Sequence, residues 1–88
     1  MKYFTYVLHS QLNGTYYIGQ TNNLARRIER HNRGQEKYTK RGIPWKIVGY
    51  AEFSSRSEAM KLEKELKGMK SRKRLEEWIA QNNPSTKK

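Results

Sequence analysis

The hydrophobic and polar positions of this 88-residue chain predict three β-strands. Residues 3–8 are aromatic or β-branched at most positions, which is typical of a strand. Asn13-Gly14 is a strong turn signal, so we expect residues 15–19 to return beside the first strand as an antiparallel hairpin. Residues 45–53 alternate between apolar and polar positions and predict a third strand.

Helical spacing of apolar residues indicates three further elements. The predicted helices cover about residues 24–32, 57–70 and 71–82. Asn22 or Asn23 can cap the first helix, and Gly34 can end it. Residues 34–42 are polar and contain several cations, so we expect a basic loop between the first helix and the third strand.

The order of these elements defines the expected fold. We predict an α+β domain, in the broad α/β class, with a small three-stranded antiparallel sheet flanked by helices in the order β-β-α-β-α-α. Eighty-eight residues suffice for one domain with one small core. We therefore expect a single domain over residues 1–83, followed by a frayed basic tail over residues 84–88.

The charge balance points to a polyanionic partner. Lysine and arginine number 19 against 8 acidic residues, which gives a formal net charge of +11. Nucleic acid is the favoured partner. A membrane surface fits less well, because no predicted helix combines a basic face with a broad aromatic face. Charge alone leaves open a small basic protein associated with RNA or the ribosome.

Composition also limits the metal sites and the location that we expect. The chain has no cysteine, which excludes disulfides and thiolate metal sites and leaves oxygen or imidazole ligands for any metal. The amino-terminal apolar run is too short and too alternating for a signal peptide or a membrane span. We therefore expect a cytoplasmic protein.

The phase of the first predicted helix separates its basic residues into two groups. Leu24 and Ile28 define an apolar stripe, and Arg27 and His31 lie at the edge of that stripe, one turn apart. The remaining arginines project to the opposite side, where they form a solvated face that can touch phosphates; they are Arg26, Arg30 and Arg33. Arg27 is thus expected where the helix meets the sheet.

The second predicted helix carries a carboxylate on its apolar face. The inward stripe consists of Ala59, Leu62, Leu66 and Met69. Glu63 projects between these residues, whereas Glu65 points outward. A carboxylate on an apolar face is costly unless it is paired or coordinates a cation. Periodicity leaves both interpretations open, an ion pair with Arg27 or a lysine, or a cation ligand.

Three segments, residues 6–8, 14–21 and 23–32, resemble the GIY-YIG nuclease family, in particular its small single-domain members. The resemblance covers residues 3–75, and the motifs recur in order. It implies a three-stranded sheet with helices and a metal-dependent endonuclease activity.

Of the two sequence triplets that give the family its name, this chain has the first in part and the second in full. The first stands here as Phe-Thr-Tyr and retains only Tyr6. The second is complete, and its Ile18 and Gly19 are expected to have structural roles. Gly19 can allow close backbone approach at the sheet edge, although a turn-forming glycine is the simpler interpretation.

The resemblance implies a set of catalytic residues: Tyr6, Tyr17, Arg27, His31 and Glu63. Glu63 matches the metal-binding glutamate of the family, and the implied cofactor is one divalent ion, Mg²⁺ or Mn²⁺, completed by waters and the substrate phosphate. Arg27 would oppose the developing negative charge.

The tyrosines and the histidine have more than one possible role. One of Tyr6 and Tyr17 is expected to take a proton from water, and the other to orient the phosphate or the water. A tyrosine base requires a pKa well below about 10, and a nearby metal and arginine would lower it. By the resemblance, His31 assists proton transfer or hydrogen-bonds the site. The alternative is a surface histidine near the carboxy terminus of a helix, where the helix dipole favours its charged form.

The other aromatic residues have packing roles as their simplest interpretation. We assign Tyr3, Tyr16 and Tyr50 to half-buried packing positions in the sheet. Trp45 and Trp78 are assigned to the core.

Clusters of cations mark the surface expected to bind nucleic acid. The candidates are Arg26, Arg30, Lys37, Tyr38, Lys40, Arg41, Lys67, Lys70, Arg72 and Lys73. Tyr38 can stack on a base, close over the site or anchor the loop. The basic run over residues 70–74 has a simpler alternative, a solvated helix end. Phosphate contacts position a nucleic acid but carry little sequence information.

The sequence therefore predicts a Mg²⁺-dependent DNA endonuclease, structure-selective or weakly selective, with a role in DNA repair or recombination. No separate DNA-reading motif is present, so a partner protein could guide it. RNA is not excluded as a substrate, and a monomer is slightly favoured. The alternatives are a catalytically inactive nucleic-acid-binding module and the small RNA- or ribosome-associated protein.

Overall fold

The computed structural model of the chain describes residues 1–85. Its elements are β1 (Tyr3–Ser10), β2 (Tyr16–Thr21), α1 (Leu24–Asn32), a short 3₁₀ turn (Lys40–Gly42), β3 (Trp45–Phe53), α2 (Arg56–Lys67) and α3 (Arg72–Asn82). The predicted α+β fold and the order β-β-α-β-α-α are confirmed. The predicted frayed tail continues into residues 86–88, which lie outside the described residues.

The sheet is antiparallel with the strand order β2-β1-β3, so β1 is central. Tyr6 on β1 is paired with Gly19 on one side and with Tyr50 on the other. β1 is two residues longer than predicted because Ser10 starts the turn with its own side chain. Its Oγ accepts hydrogen bonds from the backbone N–H groups of Leu12 and Asn13, at 3.2 and 3.1 Å.

The helices begin at polar caps. Asn23, one of the two predicted candidates, caps α1 by accepting the backbone N–H of Arg26 at 3.1 Å. Ser55 and Ser71 cap α2 and α3 in the same way. α2 ends at Lys67, three residues earlier than predicted, because the chain must turn between residues 68 and 71 to enter α3.

Two helical layers cover opposite faces of the sheet, because successive strand residues point to opposite sides. On the α1 face, Tyr6 and Leu8 pack with Trp45. On the α2/α3 face, Val7 packs with an aliphatic group consisting of Leu66, Leu75 and Ile79. Thr5 ties this second layer to β1, since its Oγ1 donates to the carbonyl of Ala59 at 2.6 Å.

The packing roles of the aromatic residues agree with prediction. Trp45 is buried on the α1 face, and Trp78 is half-buried against the core of the α2/α3 face. Tyr3, Tyr16 and Tyr50 are half-buried. Within residues 1–85, none of the helices has the length and apolar character needed to cross a membrane.

Candidate active site

Tyr6 lies at the centre of the site, on the middle strand. Its side chain is only 1% exposed, and its ring lies over the backbone of Gly19 on β2. A Cβ atom at residue 19 would stand 2.6 Å from the Tyr6 hydroxyl oxygen, closer than real Cβ atoms approach. Gly19 is therefore required for space inside a strand, and its interpretation as a turn-forming residue is wrong.

His31 is the main polar partner of Tyr6. It sits in the last turn of α1 and is fully buried, with its Nε2 atom 3.0 Å from the Tyr6 hydroxyl. Its Nδ1 atom lies 2.7 Å from the Oγ1 atom of Thr39, which is also buried. The interpretation of His31 as a surface histidine at the helix end is therefore wrong.

Burial keeps both partners uncharged. Desolvation lowers the pKa of His31; Arg27 and Arg30 lower it further, and Glu36 opposes them. Desolvation also raises the pKa of Tyr6, Tyr17 contributes in the same direction, and Arg27 opposes more weakly. Arg27 thus lowers the pKa of Tyr6 as expected, but burial outweighs it and the net shift is upward.

Tyr17 lies beside this pair on the edge strand β2. Its ring centroid is 5.1 Å from that of His31 and 6.4 Å from that of Tyr6. Trp45 closes the cluster at 6.5 Å from the Tyr17 ring. Tyr17 is half-buried, so it is the more accessible of the two tyrosines.

Arg27 joins the tyrosines to an open cleft. It is half-buried, as helical phase predicted, and is close enough to Tyr6 to favour the ionised form of that hydroxyl. A polar cleft of about 200 Å³ opens here, lined by Thr21, Asn22, Asn23, Arg26, Arg27 and Arg30. Three guanidinium groups beside a helix amino terminus make this cleft suited to a phosphate.

Glu36 holds the arginines at this cleft. One of its carboxylate oxygens is 3.2 Å from Arg30 and 4.0 Å from Arg27. Arg30, predicted as part of a solvated face, is exposed but ion-paired. Arg26 is exposed as predicted.

Glu63 lies apart from Tyr6, Tyr17 and His31. It is half-buried on α2, which covers the α2/α3 face, whereas Glu65 is exposed. Its carboxylate is paired with the ammonium group of Lys67 at 3.1 Å, which fits the lysine alternative and not the Arg27 alternative. Within residues 1–85, no hydrogen bond or ion pair joins Glu63 to the tyrosine–histidine cluster.

The donor set at Glu63 restricts the metal chemistry that it could support. Among the described residues, no group of three or more histidine or acidic side chains could hold a metal ion. A single accessible carboxylate fits Mg²⁺, which usually keeps several waters and seldom needs an all-protein cage.

The cations of the basic loop are available to a ligand. Lys37, Lys40 and Arg41 are exposed, and Tyr38 is 88% exposed. Tyr38 therefore does not anchor the loop; its neighbour Thr39 does so from a buried position.

The cations after α2 differ among themselves. Lys70 and Lys73 are exposed, but Lys67 is engaged by Glu63 at 3.1 Å. Arg72 donates to the carbonyl of Gly14 at 2.9 Å. The guanidinium of Arg72 also lies over the Tyr16 ring. Arg72 thus ties α3 to the first hairpin, and its role as a phosphate contact stays a prediction.

Sequence reasoning missed two residues of the site, Glu36 and Thr39. Both lie in a loop, where no periodicity indicates which side chains point inward. Glu36 carried one usable signal, as the only acid in the basic segment of residues 33–41. Thr39 carried none.

Comparisons with known proteins agree with this fold. Residues 2–76 match the GIY-YIG catalytic domain. A UPF0213 protein of Streptococcus pneumoniae serotype 4 is 40% identical over 82 residues, covering 92% of this chain and 81% of the relative. The UPF0213 protein lin0209 of Listeria innocua is 37% identical over 87 residues, covering 98% of this chain and 94% of the relative.

A solved structure shares the fold. The solution NMR structure of the UPF0213 protein BH0048 from Bacillus halodurans matches with a TM-score of 0.61 and 33% identity, covering 98% of this chain and 92% of that chain. The chain therefore belongs to the GIY-YIG family. Its relatives within that family are UPF0213 proteins. The family resemblance is confirmed, and membership implies a nuclease-like fold with a nucleic-acid substrate.

Proposed function

We propose that this protein is a divalent-metal-dependent endonuclease that hydrolyses phosphodiester bonds in DNA. The observation that carries the proposal is the clustering of Tyr6, Tyr17, His31 and Arg27 beside an arginine-lined cleft, within a GIY-YIG domain. A protein that only bound nucleic acid would need the exposed cations but not a buried tyrosine–histidine pair.

Tyr6 relays a proton from the attacking water to His31. Its hydroxyl is hydrogen-bonded to a histidine whose pKa is lowered by burial, so the ring is neutral and can accept a proton at Nε2. Water gives a proton to the Tyr6 oxygen as Tyr6 gives its own proton to His31. The hydroxide attacks phosphorus, and the bond from phosphorus to the leaving oxygen breaks.

The phosphate is held from the cleft. Arg27 faces both Tyr6 and the cleft, so it can neutralise charge on a phosphoryl oxygen as that charge develops. Tyr17, the more accessible tyrosine, orients the phosphate or the water. The permanent charge and planar shape of a guanidinium suit this task better than an ammonium group does.

Glu63 would hold the metal, Mg²⁺ or Mn²⁺. When bound, the ion supplies neutralisation of the phosphoryl charge and stabilisation of the leaving oxygen. The support is family membership together with a half-buried, accessible carboxylate. Because α2 contacts the edge strand β2, a DNA strand along that edge would meet Tyr17 from one side of the sheet and Glu63 from the other.

The exposed basic loop supplies contacts to the DNA backbone, and Tyr38 offers a ring for base stacking. Such contacts carry little base information, so we propose a structure-selective or weakly selective enzyme. Targeting would come from the shape of the DNA or from a partner protein. A repair or recombination role, a cytoplasmic location and a monomeric state complete the proposal.

The direct test is cleavage of plasmid and branched DNA by the purified protein with Mg²⁺ or with a chelator. We expect nicking only with Mg²⁺, loss of nicking in Glu63→Ala, and near-native DNA binding by that variant. Glu65→Ala is the matched control, because Glu65 is exposed on the same helix and should be dispensable. DNA binding without cleavage under any condition would instead support the inactive module, and a preference for structured RNA would support the RNA-associated alternative.

A further inference from the structure

His31 is fully buried and is held between two hydroxyl groups. Nε2 lies 3.0 Å from the hydroxyl of Tyr6, and Nδ1 lies 2.7 Å from Oγ1 of Thr39. All three side chains are at most 1% exposed. Because the ring is neutral, a single proton sits on one of its two nitrogens, and the partners decide which.

Only one arrangement of protons satisfies every buried donor. If Nδ1 carries the proton, it donates to Thr39, the Thr39 hydroxyl donates to the carbonyl of Glu36 at 3.4 Å, and Tyr6 donates to Nε2. If Nε2 carries the proton, it donates to Tyr6, and the Tyr6 hydroxyl has no recorded acceptor left among residues 1–85. A buried donor without an acceptor is costly, so the first arrangement is favoured.

We propose that Thr39 is a positioning residue that fixes the tautomer of His31, so that the unprotonated Nε2 atom faces Tyr6. The tautomer follows from the hydrogen bonds alone. Its catalytic consequence rests on the proposed function: Nε2 can then accept the Tyr6 proton, and without Thr39 the same nitrogen could instead carry a proton and block the transfer.

The loop is built to hold Thr39 in place. Its carbonyl accepts hydrogen bonds from the indole Nε1 of Trp45 at 2.7 Å and from the backbone N–H of Gly42 at 3.1 Å. Trp45 is in turn fixed to α1 by the side chain of Asn32, which accepts its N–H at 2.6 Å and donates to its carbonyl at 3.0 Å. The hydroxyl of Thr39 is therefore presented to the ring by a braced segment of the chain.

The tautomer can be measured without any assay of cleavage, by ¹⁵N NMR of the imidazole nitrogens in the full chain. The chain has only two histidines, so His9→Gln assigns the signals of His31. We expect a protonated Nδ1 and an unprotonated Nε2 in the native protein and in Thr39→Ser. In the nearly isosteric Thr39→Val, either tautomer leaves one buried donor without an acceptor, so we expect the tautomer protonated at Nε2 to become populated beside the first.

Cleavage supplies the second readout. Thr39→Val should lower the rate by about 10- to 100-fold, less than the roughly 10²- to 10⁴-fold that a proton-transfer group itself contributes, because Thr39 acts only through His31; Thr39→Ser should restore the rate. Thr15→Val is the control, because Thr15 is exposed and distant along the chain. A protonated Nε2 in the native protein overturns the proposal, even if Thr39→Val fails to fold. The expected tautomer without DNA cleavage would support the proposal on Thr39 and contradict the endonuclease.

Discussion

The two faces of the sheet differ in chemistry although one strand supplies both. On the α1 face, Tyr6 is hydrogen-bonded to His31, which is bonded in turn to Thr39, and Trp45 packs beside them. On the α2/α3 face, the group around Val7 is aliphatic and its contacts are non-directional. Alternation along β1 thus places the tyrosine–histidine pair and the aliphatic group on opposite faces of the sheet. Substitutions on the two faces should therefore change different properties.

The largest loss of stability is expected on the α2/α3 face, in Leu66→Ala. Leu66 is 1% exposed at the centre of the aliphatic group, so truncation leaves a cavity and should lower the free energy of unfolding by about 2–5 kcal/mol. Urea denaturation measures this change. The folded fraction should keep native cleavage activity, whereas a large loss per folded molecule would show that the faces are coupled. Leu12→Ala is the control, because Leu12 is exposed.

The largest loss of activity is expected on the α1 face, in Arg27→Ala. Removing the guanidinium beside Tyr6 should lower the cleavage rate by about 10²- to 10³-fold, by analogy with the loss of one preorganised donor. Arg26→Ala provides a matched comparison, because Arg26 lines the same cleft but is exposed. It should weaken DNA binding and change the rate several-fold at most. Equal losses of cleavage rate in the two variants would contradict the different roles that helical phase assigns to Arg27 and Arg26.

The buried histidine should make the α1 face sensitive to acid. His31 has a lowered pKa in the fold, so the unfolded chain, with a histidine pKa of about 6.5, binds the proton first as pH falls. Stability should thus be fully present above about pH 6.5 and decrease below it, by at most about 1.4 kcal/mol per pH unit from this group.

Urea denaturation at several pH values tests this dependence. Desolvation, Arg27 and Arg30 lower the pKa of His31 and so strengthen the pH dependence, whereas Glu36 raises that pKa and weakens it. His31→Gln should be less stable at neutral pH but should lose less stability on acidification than the native chain. His9→Gln should follow the native chain. Parallel pH profiles for native and His31→Gln proteins would refute the assignment to His31.

The smallest effect is expected from the ion pair between Glu63 and Lys67. The pair is spaced one helical turn apart and Lys67 is largely exposed, so Lys67→Ala should change stability by no more than about 0.5 kcal/mol. If Glu63 binds the metal, Lys67 competes for the same carboxylate. The Mg²⁺ concentration for half-maximal cleavage should then fall a few-fold. A rise would count against Glu63 as the ligand. Lys64→Ala, at an exposed position, is the control.

Sequence patterns predicted the elements and part of the site for physical reasons. Periodicity reports which side of an element faces the core, and it separated half-buried Arg27 from exposed Arg26, and Glu63 from Glu65. It could not indicate Thr39, since the direction of a loop side chain depends on contacts such as the indole of Trp45. Nor could it give the direction of the Tyr6 pKa, which depends on how deeply that ring is buried.

The hydrogen bond from Thr5 to Ala59 also bears on the order in which the chain folds. It joins residues 54 positions apart, and the bond from Arg72 to Gly14 spans 58 positions. Two polar contacts on the α1 face are more local: 25 positions separate Tyr6 from His31, and 13 separate Asn32 from Trp45. Because shorter loops close more readily, we expect the α1 face to assemble first and α2 to dock later. A partly folded chain would then contain the tyrosine–histidine pair before Glu63 is in place, so cleavage would begin only when folding is complete.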